Sequence, residues 1–169
     1  EFEVVKPIEE ATLYISGVGY YECWINGISV KDTVLDPAFT EYDKAVMYQT
    51  YKISNLQQGL NAIAISVGDG FYNVDLGDTW NFTNALWRDH AKCICVLKLK
   101  YRDGSEEKIV SDRSFKGSKG PILVNNVRGM EKYDATKELG AWTMPGYDDS
   151  TWNSVKITKA PGGELIGQY

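Results

Sequence analysis

The sequence has 169 residues, 43% of them apolar and 24% charged, with a formal net charge of −5 and a pI near 4.9. That length allows one domain, 1–169, whose core needs no staples. The acidic balance, with Lys and Arg scattered among acids, argues against a nucleic-acid partner or an anionic membrane surface. No apolar stretch approaches the roughly 20 residues of a membrane helix, and no signal-peptide pattern opens the sequence.

Alternation dominates from the start. "ATLYIS" sets Ala11, Leu13 and Ile15 on one strand face, and "YYECWING" sets Tyr21, Cys23 and Ile25 against Glu22 and Trp24. Asn26-Gly27 supplies the pair of positive φ angles that a type I′ hairpin turn requires. Val46–Ile53 and Leu60–Val67 read as two further strands, and "SNLQQG" between them as one helical turn closed by Gly59. Ala91–Tyr101 is a long strand that "RDGS" turns and "EEKIV" returns, and "SFKGS", "PILVN" and "SVKIT" suit short strands. The tail "APGGELIGQY" reads as an exit from the domain. Many short strands without a sustained helical period predict an all-β, antiparallel jelly-roll β-sandwich.

Cys23, Cys93 and Cys95 make an odd count, and the i, i+2 pair shares one strand face. They read as buried thiols. The lone histidine, His90, reads as a solvated loop residue, and it leaves little material for transition-metal sites or Ser/His/Asp triads.

The longest loop, Gly68–His90, interrupts this pattern. It holds Phe71, Tyr72, Trp80, Phe82 and Trp87 beside Asp69, Asp75, Asp78 and Asp89. Five rings argue against disorder, and a loop this long is usually functional. Two readings remain open. The rings plug the end of the sandwich, or they stack on a sugar while Asp69, Asp75, Asn81 and Asn84 meet its hydroxyls. Asp43, Asp75, Asp78, Asn84 and Asp89 could also supply oxygen ligands to calcium. No carboxylate pair is singled out for glycoside hydrolysis, and nucleotide-binding and nucleophile-elbow motifs are absent. "GDGFY" has a structural reading as well, with Gly68 and Gly70 allowing a tight turn that Asp69 caps. In "GYDDSTW", Asp148 or Asp149 caps a short turn above Trp152.

Several stretches taken together resemble a known family. "ATLYISGVGYYECWINGISV", "DPAFTEYDKAVMYQTY", "GLNAIAISVGDGFY", "GPILVNNVRGMEKYDA", "GYDDSTW" and "APGGELIGQ" follow one another as in bacterial α-L-rhamnosidases of glycoside hydrolase family 78. The likeness is to the β-sandwich near the N-terminus of those enzymes, including their calcium-dependent rhamnose-binding module. It implies a galactose-binding-like jelly roll and places the catalytic carboxylates in an (α/α)6 barrel that no part of this sequence resembles. The expectation is a non-catalytic carbohydrate-binding module of a larger glycosidase, which binds L-rhamnose or a related sugar in a plant or bacterial glycan, with calcium as the implied cofactor.

By the same resemblance Asp43 stands first in an Asp-Asn pair that meets ion and sugar, Asn84 matches a further Asn of the calcium site, and a backbone carbonyl ligand falls near Asp89 or His90. Lys44 follows Asp43 where that pattern has Asn, and an ammonium repels a cation. Phe71 and Tyr72 match a stacking aromatic, with Asp69, Trp80 and Trp87 beside them. The alternative expectation is a structural accessory domain without a ligand, whose loop rings pack against the catalytic domain of the parent chain. The sequence leaves open whether that parent is exported.

Overall fold

The structure, a computed structural model, describes residues 1–74 and 80–168. Fourteen strands run in chain order through the described residues. They are β1 (Phe2–Val4), β2 (Ile8–Val18), β3 (Tyr20–Ile25), β4 (Ile28–Ser29), β5 (Ala45–Lys52), β6 (Gly59–Asn61) and β7 (Ile63–Gly68), then β8 (Lys92–Tyr101), β9 (Glu106–Val110), β10 (Lys116–Gly117), β11 (Ile122–Asn125), β12 (Glu131–Tyr133), β13 (Asn153–Ser154) and β14 (Glu164–Gly167). The main sheet has the order β14-β5-β2-β8-β9, and a three-stranded sheet has the order β4-β3-β7.

The two sheets face each other across the core that the alternation marks out. Ala11, Leu13 and Ile15 of β2 and Cys95, Leu97 and Leu99 of β8 meet Tyr21 and Cys23 of β3, all buried in one cluster. Period-two alternation on both inner faces is what a sandwich requires, so the all-β sandwich reading holds. Inside it, the Tyr21 hydroxyl donates to Gln49 Oε1 at 2.6 Å, which ties the sheets together. The chain changes sheets at Gly19, whose φ of +105° lets β2 run into β3 with a single linking residue.

Both outer faces are partly covered. Over the three-stranded sheet, Trp24 packs edge-on against Trp142 at 5.3 Å, and Trp152 lies behind Trp142 and Tyr147. Asp148 accepts the Ser150 N–H at 3.0 Å, as the capping reading expects.

Four local expectations change. β14 pairs parallel with β5, Glu164 opposite Ala45, so the main sheet is mixed and the tail is a strand. The strand expected over 60–67 is split at Ala62, whose N–H is taken by Asn26 Oδ1 at 2.8 Å. No helical turn forms at 54–58. The Asn61 amide takes the Gln57 N–H at 3.0 Å and donates to the carbonyls of Gln57 and Gly59 at 2.7 and 2.9 Å, so the backbone bonds a side chain in place of its own next turn. The segment "SFKGS" contributes only the two-residue strand β10, and of "SVKIT" only Ser154 is in a strand, the two-residue β13. The hairpin does form as read, with φ of 50° at Asn26 and 79° at Gly27.

Candidate functional site: an aromatic cluster on the main sheet

Opposite the core, β2 and β5 turn Val18 and Val46 outward, and the long loop folds over them. Val18, Tyr42, Val46 and Tyr72 are buried there as a second small cluster with Trp87 packed against it. The local turn follows from "GDGFY". The Asp69 carbonyl accepts the Asn73 N–H at 3.1 Å, and the Asp69 carboxylate accepts Asn73 Nδ2 at 2.7 Å. Gly19 makes room for it, because a Cβ there would stand 2.1 Å from the Gly68 carbonyl oxygen.

The rings fill the space between one another. Tyr42 meets Tyr72 and Trp87 edge-on, each at 5.0 Å. Phe39 is the hub above them, with centroids 5.1 Å from Phe71 and 5.3 Å from Phe82. Edge-to-face pairs at such distances are favourable beyond simple burial. The Arg128 guanidinium lies 3.5 Å from the Trp80 ring centre and 5.9 Å from that of Phe71, so a cation covers one face of Trp80. Arg88 Nε donates to the Val74 carbonyl at 2.6 Å and pins the base of the loop.

The rings expected to bind a sugar separate into three kinds. Tyr72 is 1% exposed, so no sugar can stack on its ring; it belongs to the protein's own packing, which corrects that expectation. Phe71 and Trp87 are half-buried among the rings. Trp80 is 56% exposed. Asp69 works as a turn cap. Asn84 is exposed, and its Nδ2 donates to Asn81 Oδ1 at 2.6 Å. Asp75 and Asp78 lie outside the described residues.

The carboxylates expected to hold calcium arrive with their own cations. Asp43 has Lys44 Nζ at 3.8 Å. Asp89 accepts Lys92 Nζ at 2.6 Å and the His90 N–H at 2.8 Å. The Lys92 bond, seconded by the His90 N–H, holds the Asp89 carboxyl below the ordinary carboxylate range. Burial works to lower Lys92, but the Asp89 and Tyr72 contacts outweigh it and the ammonium is raised. An ion at either carboxylate would compete with an ammonium already in place. Among the described residues no group of three His, Cys, Asp or Glu side chains stands where it could hold a metal ion.

Sequence reasoning missed Phe39, Tyr42, Lys92 and Arg128. The available signal was Val18 and Val46, two apolar residues on the strand face opposite the core positions Ile15 and Gln49. Two shallow hollows, of about 140 and 190 Å³, lie farther along the outer face of the main sheet, and neither is lined by a ring of the cluster.

A sandwich of two sheets, with the rings of Tyr42, Tyr72 and Trp87 packed over the outer face of the larger one, defines an all-β domain with a second small core. The comparisons give the particular family. Residues 6–169 match the family described as the alpha-L-rhamnosidase N-terminal domain, and the chain belongs to it. It is 44% identical over 158 residues to an α-L-rhamnosidase of Formosa agariphila, covering 90% of this chain and 16% of that protein. Among solved structures it is similar to the α-L-rhamnosidase of Dictyoglumus thermophilum, with a TM-score of 0.90 and 39% identity over 99% of this chain and 18% of that one. It is also similar to the Streptomyces avermitilis α-L-rhamnosidase complexed with L-rhamnose, with a TM-score of 0.91 and 34% identity over 99% of this chain and 16% of that one. The chain thus spans less than a fifth of the length of these relatives. It corresponds to the N-terminal accessory part of α-L-rhamnosidases.

Proposed function

We propose that this domain is a non-catalytic accessory domain of an α-L-rhamnosidase chain that packs against the rest of that chain, and that its aromatic loop is a second small core. The observation that carries this reading is the burial of Tyr72 between Tyr42, Trp87 and the outer face of the main sheet. A ring used in this way is lost to a ligand. Hydrolysis in such a parent, a glycoside hydrolase, belongs to parts of the chain outside this segment. The 169-residue chain is expected to leave an aryl α-L-rhamnoside intact. Turnover that survives repurification overturns the reading.

A second reading has specific support. Trp80 stays exposed on the rim of the cluster, and the Streptomyces relative is a complex with L-rhamnose. On this reading the rim formed by Trp80, Phe71 and Asn84 binds rhamnose or a related sugar weakly, since one small ring buries little area. Such a module would hold its catalytic neighbour near a rhamnose-bearing glycan. Titration of L-rhamnose, with calcium and with chelator, followed by tryptophan fluorescence separates the two. A flat response supports the accessory reading. A saturable response supports the module, and its loss with chelator would bring calcium back into the site.

A further inference from the structure

We propose that the bare middle strip of the main sheet is the face that the remainder of a rhamnosidase chain covers. This rests on the accessory-domain reading and names the surface it uses. The strip consists of Tyr14, Tyr48, Ile94, Val96, Val110 and Leu165, from five adjacent strands. Tyr14 stands opposite Val96 and Ser16 opposite Ile94, and Val96 stands opposite Val110, so these side chains share the outer face. The Tyr14 and Tyr48 rings lie 6.3 Å apart, and a hollow lies between them, Ile94 and Leu165.

The outer face of β2 and its neighbours has three zones. At one end Val18 and Val46 lie under the aromatic loop. At the other, Glu10, Thr12, Lys52, Lys98, Lys100 and Glu106 line a polar hollow, and their charges are met locally, with Lys52 paired to Glu10 and Lys100 to Glu9. Only the middle is apolar and open, with Ile94 51% and Leu165 52% exposed. A sheet face that meets water normally carries polar residues at these positions, and a contiguous apolar strip with a polar border marks a contact surface. Elsewhere on the two main sheets this chain covers apolar side chains itself, with the rings at Val18 and with Trp142 over Trp24.

The occupant follows from topology and length. β14 supplies Leu165 to the strip and lies beside β5, with Gly167 opposite Tyr48. A polypeptide continuing from there begins at the margin of the strip, so its effective concentration at that surface is high without any new contact. The relatives' chains extend far beyond the matched part, since this chain spans 16% to 18% of those compared. A second copy of the domain would have to reach the same surface from solution.

The test is hydroxyl-radical footprinting of a full rhamnosidase chain that carries this domain, with the fully exposed Leu86 and the exposed Val34 as internal references. Labelling of Tyr14, Tyr48, Ile94 and Leu165, corrected for intrinsic reactivity and for their exposure on the uncovered face, is expected several-fold below that of the references. In an Ile94→Glu/Leu165→Glu double variant the tyrosine labelling is expected to rise toward the references while core Leu97 stays protected. If the strip labels freely while Val34 and Leu86 are protected, the face is wrong and the accessory reading stands. If the strip labels as freely as the references, the proposal falls; the accessory reading falls with it only if Trp80, Ile122, Leu123 and Ile157 label freely as well. Protection of the strip that fades on dilution means that a second copy covers it, and this also overturns the proposal.

Discussion

Tyr72 lies nearly flat against Trp87, with ring centroids 6.0 Å apart and planes 12° from parallel, and Tyr42 closes the pair edge-on. Three rings from two loops therefore make one packing unit over Val18 and Val46. Tyr72→Ala should leave a cavity in it and cost about 3–5 kcal/mol of unfolding free energy. Trp80→Ala, at the exposed rim where Arg128 lies over the ring, should cost less, about 1 kcal/mol. Urea unfolding of both variants measures the contrast, and equal losses would mean that the rings are not a core.

Asn61 is fully buried. Besides its bonds to Gln57 and Gly59, its Oδ1 accepts Asn26 Nδ2 at 2.8 Å. Asn61→Leu leaves several buried polar groups unmatched, and a loss of about 3 kcal/mol is expected. A urea midpoint unchanged from the parent protein would show that the network is dispensable.

Lys31 is a buried cation. Its side chain is 1% exposed, with Glu22 at 3.2 Å and Asp36 at 4.0 Å, and Nζ donates to the Tyr21 carbonyl at 2.7 Å. Glu22 is half-exposed and contributes little. Lys31→Met keeps the stem but removes the carbonyl's donor and leaves the buried Asp36 with Thr33 and Gln168 and no cation, at an expected cost of about 2–3 kcal/mol. Thermal unfolding, together with proteolysis of the 31–37 loop, reads it out.

Acid should weaken the fold through exposed aspartates. Asp103 is held below the ordinary carboxylate value first by Lys6 and then by Ser105. Ser114, Thr136 and Ser150 do the same for Asp112, Asp134 and Asp148. A lowered folded pKa means that the unfolded chain binds more protons, so the stabilisation is present above the unfolded value of 3.8 and is lost as pH falls through the folded ones. Urea midpoints should be level down to about pH 5 and fall below it, less steeply in Asp103→Asn.

The thiols should give the opposite trend. Burial pushes Cys93 up to about 11 and Cys95 up to about 12, and it raises Cys23 further. The folded state then keeps thiol protons that the unfolded state loses above its value of 9.0, so stability declines as pH rises beyond that point. At pH 8 the three free thiols should react with a disulfide reagent slowly when folded and rapidly in denaturant. Cys93 is half-buried, so the check rests on Cys23 and Cys95: rapid reaction of either in the native protein would contradict its burial.

The core strands were legible because both faces of β2 and β3 carry their own period, and Asn26-Gly27 announces its turn. The parallel pairing of β14 was not. Its partner lies more than a hundred residues earlier, and the Pro161 and glycine residues before it signal an ending just as well. For the aromatic loop, rings that fill a core and rings that meet a sugar are the same residue types at the same spacing. The choice is made by Val18 and Val46, which put apolar side chains on the solvent side of two strands. Sequence periodicity shows both residues, but only the register of the sheet puts them side by side under Tyr72.

The pairing of Gly167 with Tyr48 also bears on how the molecule is made. A ribosome delivers β5 long before β14, so until residue 167 has emerged the nascent sheet has an open flank beside Val46 and Tyr48. Contacts of such large sequence separation form late, and an unpaired flank attracts other strands in the meantime. Shortening the chain before Gly163 would make that temporary exposure permanent.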